Sequence, residues 1–340
     1  MNAHTIPVTF PNKDGLRLFG VLHQPAVPRD PGVAILLLSP GVKMRVAPHR
    51  LYNKMAARFV ALGYPVLRFD FHGLGDSEGE APDTLLADLY GATQVGRYIA
   101  DTIAAMDWMH QQYGTSRFIA SGLCGGALTG LLAAQRDPRI TSLLGLSIPV
   151  ILDGSTIDAS KYMTDAQLKG TRLRYLRKFR LWDPDVWHSW VRFFSFQSHY
   201  SLILKSMAKP LLARLRRAAP VAPATAEAPE AKAADNTNPY FAPALLRMVS
   251  TGRRVFLIFA ETDRLLWEFD VKFLQRHRAA VERHADWFEM HVTKQANHIF
   301  SFGEWQEDML DQCCRWLERS GGERRAAAPA SAIPVGVPSH

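Results

Sequence analysis

The stretch Ser121-Gly122-Leu123-Cys124-Gly125-Gly126-Ala127 sets a cysteine between glycines two residues to either side. This is the nucleophile-elbow spacing G-x-S-x-G with a thiol in place of the hydroxyl, preceded by an apolar run and followed by a helical pattern. In such a turn the nucleophile takes a strained backbone conformation. The flanking glycines remove Cβ atoms that would meet the neighbouring strand and helix. A thiol at a helix start lies near free N–H groups and the positive end of the macrodipole, which favour a thiolate and a developing oxyanion. The implied chemistry is attack on a carbonyl through an S-acyl intermediate, and it requires a base and an acid that orients the base. The plain alternative is an inert, buried cysteine in a tight turn.

The elements that would hold such a site are legible as a pattern. Ile6 to Phe10 and Leu16 to His23 flank the turn signal Asn12-Lys13-Asp14-Gly15 and read as a hairpin. Short runs rich in Val, Ile, Leu and Phe follow at Val33 to Leu38, Pro65 to Phe71, Arg117 to Ser121, Ile140 to Ile148, Arg254 to Phe259 and Trp287 to Val292. Helical periods lie between most of them, at Arg50 to Leu62, Gln94 to Tyr113 and Gly125 to Gln135, with a closing one at Trp305 to Glu318. Apolar strands separated by amphipathic helices imply a mostly parallel sheet buried on both faces. The expectation is an eight-stranded α/β sheet flanked by helices.

The alternation breaks after Ile148 and resumes near Arg254. Residues 1–152 and 252–320 are therefore read as the core, 153–251 as a helical cap insertion and 321–340 as a disordered tail. The net charge of +8 is concentrated in this insert. Between Lys161 and Arg217 there are 13 Lys or Arg against three acids, a local balance of +10 that leaves the rest of the chain at −2. A nucleic-acid binder would spread its basic charge over the folded surface, so that class is disfavoured. The segment instead suits an anionic substrate or peripheral contact with an anionic membrane. From Ala218 to Asp235, nine Ala and three Pro fill 12 of 18 positions, which marks a linker, extended to 238 in the domain reading.

The longest apolar run, Val33 to Leu38, is far too short for a membrane span. The N-terminus has neither a basic start nor an apolar signal segment, so a cytoplasmic location is expected. Three cysteines cannot make a disulfide framework, and Cys313 and Cys314 read as reduced thiols in a helix core. No cofactor or metal is expected. Gly73-Leu74-Gly75-Asp76-Ser77-Glu78-Gly79 imitates a dinucleotide loop, but its third glycine comes one residue too late. It reads as a surface turn with Asp76 capping backbone amides.

An elbow on a mostly parallel sheet is the arrangement of the α/β-hydrolases, and that resemblance directs the remaining assignments. The base comes from the loop after the last strand, Lys294-Gln295-Ala296-Asn297-His298, which singles out His298 over the in-strand His291 and over His49, His72 and His188. The acid follows the preceding strand, where Ala260-Glu261-Thr262-Asp263 offers Asp263, with Glu261 as a surface carboxylate and Asp153 as the alternative after the earlier strand. The order Cys124, Asp263, His298 is the nucleophile–acid–base order of the group. The oxyanion hole should combine the Gly125 N–H with one from Ser39-Pro40-Gly41-Val42-Lys43, for which Val42 is the candidate. Arg45, His49 and Arg50 follow closely as candidate contacts for an anionic part of a substrate.

Arg68-Phe69-Asp70-Phe71-His72-Gly73-Leu74-Gly75-Asp76-Ser77-Glu78-Gly79 resembles the Arg-x-Asp-x-x-Gly-x-Gly-Asp-Ser-x-Gly signature of the serine-aminopeptidase-like group. Gly41 to Arg50 together with Gly122-Leu123-Cys124 is similar to exosortase A system-associated hydrolases of bacterial exopolysaccharide clusters. The resemblance spans roughly residues 5–150 and 252–318. Dienelactone hydrolase is a more distant likeness whose elbow also carries cysteine. These likenesses imply an esterase or thioesterase with a Cys-His-Asp triad. Acyl transfer to a sugar or lipid acceptor, and a scaffold with a relic site, are the alternatives.

Overall fold

The computed structural model describes residues 4–30, 32–80, 86–152 and 235–320. The chain divides into two units, residues 1–155 with 237–340 and residues 156–236. The first unit carries every element below. The basic segment Lys161–Arg217, the linker 218–234, Asp153, His188 and the tail 321–340 lie outside the described residues.

A hairpin of β1 (His4–Pro11) and β2 (Arg17–Gln24) opens the fold. β3 (Val33–Leu38), helix α1 (Leu51–Ala61) and β4 (Val66–Phe69) follow, then helices α2 (Leu86–Gln94) and α3 (Ile99–Tyr113). β5 (Arg117–Leu123), α4 (Gly125–Arg136) and β6 (Ile140–Leu146) complete the first half. The second half runs α5 (Phe241–Ser250), β7 (Arg254–Ala260), α6 (Arg264–Phe269), α7 (Gln275–Arg283), β8 (Phe288–Thr293) and α8 (Gly303–Ser320). The strands form one sheet in the order β1-β2-β4-β3-β5-β6-β7-β8. β1 and β2 run antiparallel, β2 is antiparallel to β4, and all other pairs are parallel. Eight strands stand at the eight expected places.

The two-residue period of a strand explains the two cores. On β3, Ala34, Leu36 and Leu38 enter one hydrophobic cluster while Val33, Ile35 and Leu37 enter the other. β7 divides in the same way, with Val255, Leu257 and Phe259 on the first face and Phe256, Ile258 and Ala260 on the second. Helices α3, α4 and α5 cover the first face, and α1 and α8 the second. Each fully buried Leu, Ile or Phe contributes about 1.5–3 kcal/mol relative to exposure, so both faces must be covered for the strands to stay paired. Cys313, fully buried in α8, and its neighbour Cys314 are free thiols in that second core.

Two boundaries differ from the sequence expectation. The helix expected over Gln94 to Tyr113 begins only at Ile99, and a further helix, α2, precedes it. Gly96 takes φ +102, and a Cβ there would lie 2.6 Å from Ile99 Cδ1, so α2 ends before it and α3 starts after it. The core also resumes before residue 252. α5, inside the expected insert, buries Phe241, Ala244, Leu245, Met248 and Val249, a regular helical stripe packed with α4 against the sheet. A bridge between Ile151 and Thr237 joins the chain on either side of the excursion. Among the described residues, no helix is long and apolar enough to cross a membrane.

Candidate active site

Parallel register brings four strand ends together. Leu38 pairs with Gly122, Leu123 with Leu146, Leu146 with Ile258 and Ala260 with Thr293. The loops that follow β3, β5, β7 and β8 therefore emerge along the same C-terminal edge of the sheet, where ligands of open α/β sheets are held.

Cys124 joins β5 to α4 with φ 55 and ψ −118, a conformation that costs an ordinary residue roughly 1–3 kcal/mol and is held by its surroundings. Its N–H donates to Leu146 O at 2.8 Å. The Tyr52 hydroxyl donates to Leu38 O and accepts from Leu123 N–H, both at 2.7 Å, clamping the ends of β3 and β5. The glycines behave as the spacing requires. A Cβ on Gly122 would lie 2.7 Å from the Gly126 carbonyl carbon, and one on Gly126 would lie 2.2 Å from Leu38 O. Cys124 is half-buried and touches both hydrophobic clusters.

The loops after β7 and β8 are tied to each other before they reach the sulfur. Glu261 N–H donates to Thr293 O, and both the N–H and the hydroxyl of Thr262 donate to Ala296 O. Asp263 then caps α6 by accepting from Leu265 N–H at 3.2 Å, and its other oxygen meets His298 Nδ1 at 2.7 Å. The Asn297 side chain holds Ser301 N–H and hydroxyl, closing the far side of the His298 loop. Cys124 is among the groups that act electrostatically on His298. Asp263 and His298 are thus hydrogen-bonded to each other at the edge where Cys124 also stands.

Electrostatics follow from this arrangement. Burial pulls the His298 imidazole down, but the Asp263 hydrogen bond, the Cys124 sulfur and the charge of both groups push it up to about 10. Burial raises the Asp263 carboxyl, and His298, the Leu265 amide and, least, Ser147 outweigh it, so Asp263 is held below the ordinary carboxylate range. His298 is therefore held on its protonated side at neutral pH.

The other titratable candidates are engaged elsewhere. His291 Nε2 pairs with Asp308 at 2.9 Å, and Glu261 accepts from Gln295 N–H at the surface. His72 Nδ1 pairs with the buried Asp101. Among the described residues no group of three or more His, Cys, Asp or Glu is arranged to hold a metal ion.

Gly41 turns the chain after β3 with φ +62, and its backbone lies against that of Gly125. Lys43 N–H is taken by Pro40 O within this turn, while Val42 sits half-buried against the first core. Gly125 opens α4, whose first intrahelical bond runs from Leu128 N–H to Cys124 O, so the earlier amides belong to the unfilled first turn. Arg45 departs from the anion-binding expectation. Its amide and guanidinium both bind the fully buried Asp70, and Nη2 reaches Asp76 at 2.6 Å. Asp76 is accordingly an ion-pair partner. The amide-capping role expected of it falls to Asp70, which accepts from Asp76 N–H at 3.1 Å. Gly75 allows that approach, since a Cβ there would sit 2.2 Å from Asp70 Oδ2. His49 and Arg50 are exposed in a turn with positive φ at both residues.

One residue at the sulfur carried no sequence signal. Tyr90, on α2, places its hydroxyl in hydrogen-bond contact with Cys124 Sγ.

The fold has relatives among solved structures. The Pyrococcus furiosus esterase Pf2001 superposes with a TM-score of 0.54 over 93% of this chain and 91% of that one, at 18% identity. The alpha/beta hydrolase GrgF from Penicillium sp. sh18 gives 0.52 over 93% and 98%, at 19% identity. No curated protein sequence matches. The sequence profile of the alpha/beta hydrolase family matches residues 35–312, and the chain belongs to that family.

Proposed function

We propose that this protein is an acyl hydrolase in which Cys124 is the nucleophile, His298 the acid and base, and Asp263 the residue that orients His298. The observation that carries this reading is the Asp263–His298 hydrogen bond at the same sheet edge as a sulfur held at φ 55 on a strand-to-helix turn, a sulfur that also acts electrostatically on His298. The fold hosts many acyl chemistries, so the choice of bond rests on the nucleophile. Against a thiolate nucleophile, a thiolate or activated alkoxide leaves readily and an ordinary alkoxide leaves once His298 protonates it, whereas an amine must be fully protonated on nitrogen to leave, which favours esters and thioesters over amides.

The thiolate attacks the carbonyl carbon, and the π pair moves onto oxygen. Gly125 N–H and Val42 N–H are the donors assigned to that oxyanion. The intermediate collapses, the protonated His298 gives its proton to the leaving group, and an S-acyl enzyme remains. Acylation removes the charge on sulfur, one of the causes that raise His298. Its pKa then falls toward the ordinary imidazole range. The same ring can now accept a proton from water, which attacks the thioester and frees Cys124.

Intact-mass measurement after incubation with a panel of activated acyl esters tests the reading. One acyl increment on the wild type, absent from Cys124→Ala, is the expected result. A panel that leaves no adduct and yields no hydrolysis overturns it.

A further inference from the structure

Tyr90 stands at the sulfur from an element that neither strand pattern nor elbow spacing singles out. Its helix, α2, lies between β4 and β5 in sequence and packs on α4, and Thr93 and Gln94 in its last turn are fully buried. The Tyr90 ring lies over the turn after β3, where a Cβ on Gly41 would be 3.0 Å from Tyr90 Cε2 and 3.3 Å from Cδ2. Gly41 in turn abuts Gly125, with a Cβ on the latter 2.6 Å from Gly41 Cα. The phenol thus bridges two things, the nucleophilic sulfur at its hydroxyl and the oxyanion-side turn at its ring edge.

We propose that Tyr90 is a catalytic residue whose hydroxyl hydrogen-bonds the Cys124 thiolate at rest and then the carbonyl oxygen of the substrate as it becomes an oxyanion. This rests on the acyl-hydrolase reading above and adds a third donor to it.

The charge balance makes the hand-over natural. As the S–C bond forms, negative charge leaves sulfur and appears on oxygen one bond beyond the attacked carbon. A donor aimed at the sulfur from the Gly41 side has only to turn its hydrogen toward that oxygen. No proton is transferred in the step, because Tyr90 keeps its hydrogen and His298 supplies the proton for the leaving group. A hydroxyl group so placed is preorganised in the sense that matters for electrostatic stabilisation, since the turn that packs its ring also orients the backbone donors. The arrangement also gives a second reason for glycine at position 41, beyond its φ of +62, because any side chain would displace the ring.

Tyr90→Phe removes one oxygen and keeps the ring that packs on Gly41. Single-turnover acylation by a p-nitrophenyl ester should slow by about 10- to 100-fold, at or below the lower end of what one lost oxyanion donor costs, while KM changes less than twofold. The loss should fall on the acylation rate constant and spare KM, a split that a merely structural tyrosine would not produce, and circular dichroism should be unchanged. Should Tyr90→Phe lose its fold, Gly41→Ala, which displaces the ring and keeps the phenol, replaces it and should slow acylation likewise. Acylation at the wild-type rate in the variant that folds overturns the role of Tyr90 while leaving the hydrolase reading intact. A wild-type protein that forms no acyl adduct overturns the hydrolase reading, and the proposal with it.

Discussion

A Cβ on Gly125 would lie 2.6 Å from Gly41 Cα and 3.0 Å from Gly41 N, so the residue after the nucleophile and the turn after β3 are in backbone contact. Neither partner is the far end of a flexible side chain that could rotate away. Gly125→Ala must therefore move one backbone or the other, separating the two assigned oxyanion donors. Stopped-flow acylation should slow by about 100-fold or more, in line with loss of an oxyanion-hole donor, while circular dichroism stays that of the parent. An unaltered rate would remove Val42 from the oxyanion hole.

Cys124→Ala should leave less than about a hundredth of the hydrolysis of any p-nitrophenyl ester that the wild type turns over, because only binding and the oxyanion donors remain. Alkylation separates the thiols as well. Burial pushes Cys313 far up and, despite Arg58 nearby, raises Cys314, whereas Cys124 is half-exposed beside His298. Iodoacetamide at neutral pH should modify Cys124 at least tenfold faster, as read by peptide mass spectrometry. Equal sluggishness of all three would indicate a scaffold with a relic site.

Asp263→Asn removes the hydrogen bond that contributes most to raising His298, while burial continues to pull the ring down. The protonated form is the acid of acylation, so activity is lost as pH rises through its pKa. The wild-type alkaline limb is therefore expected near pH 10, and in Asp263→Asn it should move to lower pH. The amide also permits the wrong tautomer of His298, so kcat should fall by about 10³-fold or more. A pH–rate profile with an unmoved alkaline limb would assign the acid elsewhere, with Asp153 the first position to mutate.

The three candidate residues were legible because each follows the end of a strand, and strands are marked by local apolar runs. Cys124 comes directly after β5, Asp263 three residues after Ala260, and His298 five after Thr293. The interactions that no local pattern encodes were not legible. Arg45 meets Asp70 and Asp76 across 25 and 31 residues, and Tyr90 meets Cys124 across 34. α5 is a different case. Its stripe Phe241, Ala244, Leu245, Met248 and Val249 stands plainly in the sequence, but it follows an Ala/Pro stretch that drew it into the insert.

The Arg45 cluster yields a last test, separating support of the loop from contact with substrate. Asp70 is fully buried and accepts from Arg45 N–H at 2.6 Å, from the Arg45 guanidinium and from Asp76 N–H, and its own carbonyl accepts from the Ser77 hydroxyl at 2.7 Å. It therefore fastens the turn after β3 to the loop after β4. Breaking a buried pair by neutralising one partner leaves the other charge inside without compensation, which costs about 3–5 kcal/mol. Arg45 is partly exposed and keeps Asp76, so Asp70→Asn should fall at the low end of that range, about 3 kcal/mol, by urea denaturation. Arg45→Met should likewise lower the unfolding midpoint and reduce kcat through the displaced Gly41–Val42 turn. If Arg45 instead holds an anionic group of the substrate, Arg45→Met should raise KM for an anionic ester but not for its neutral analogue, with the midpoint unchanged. A fall in midpoint together with an equal loss of kcat on both esters is the outcome the ion pairs predict.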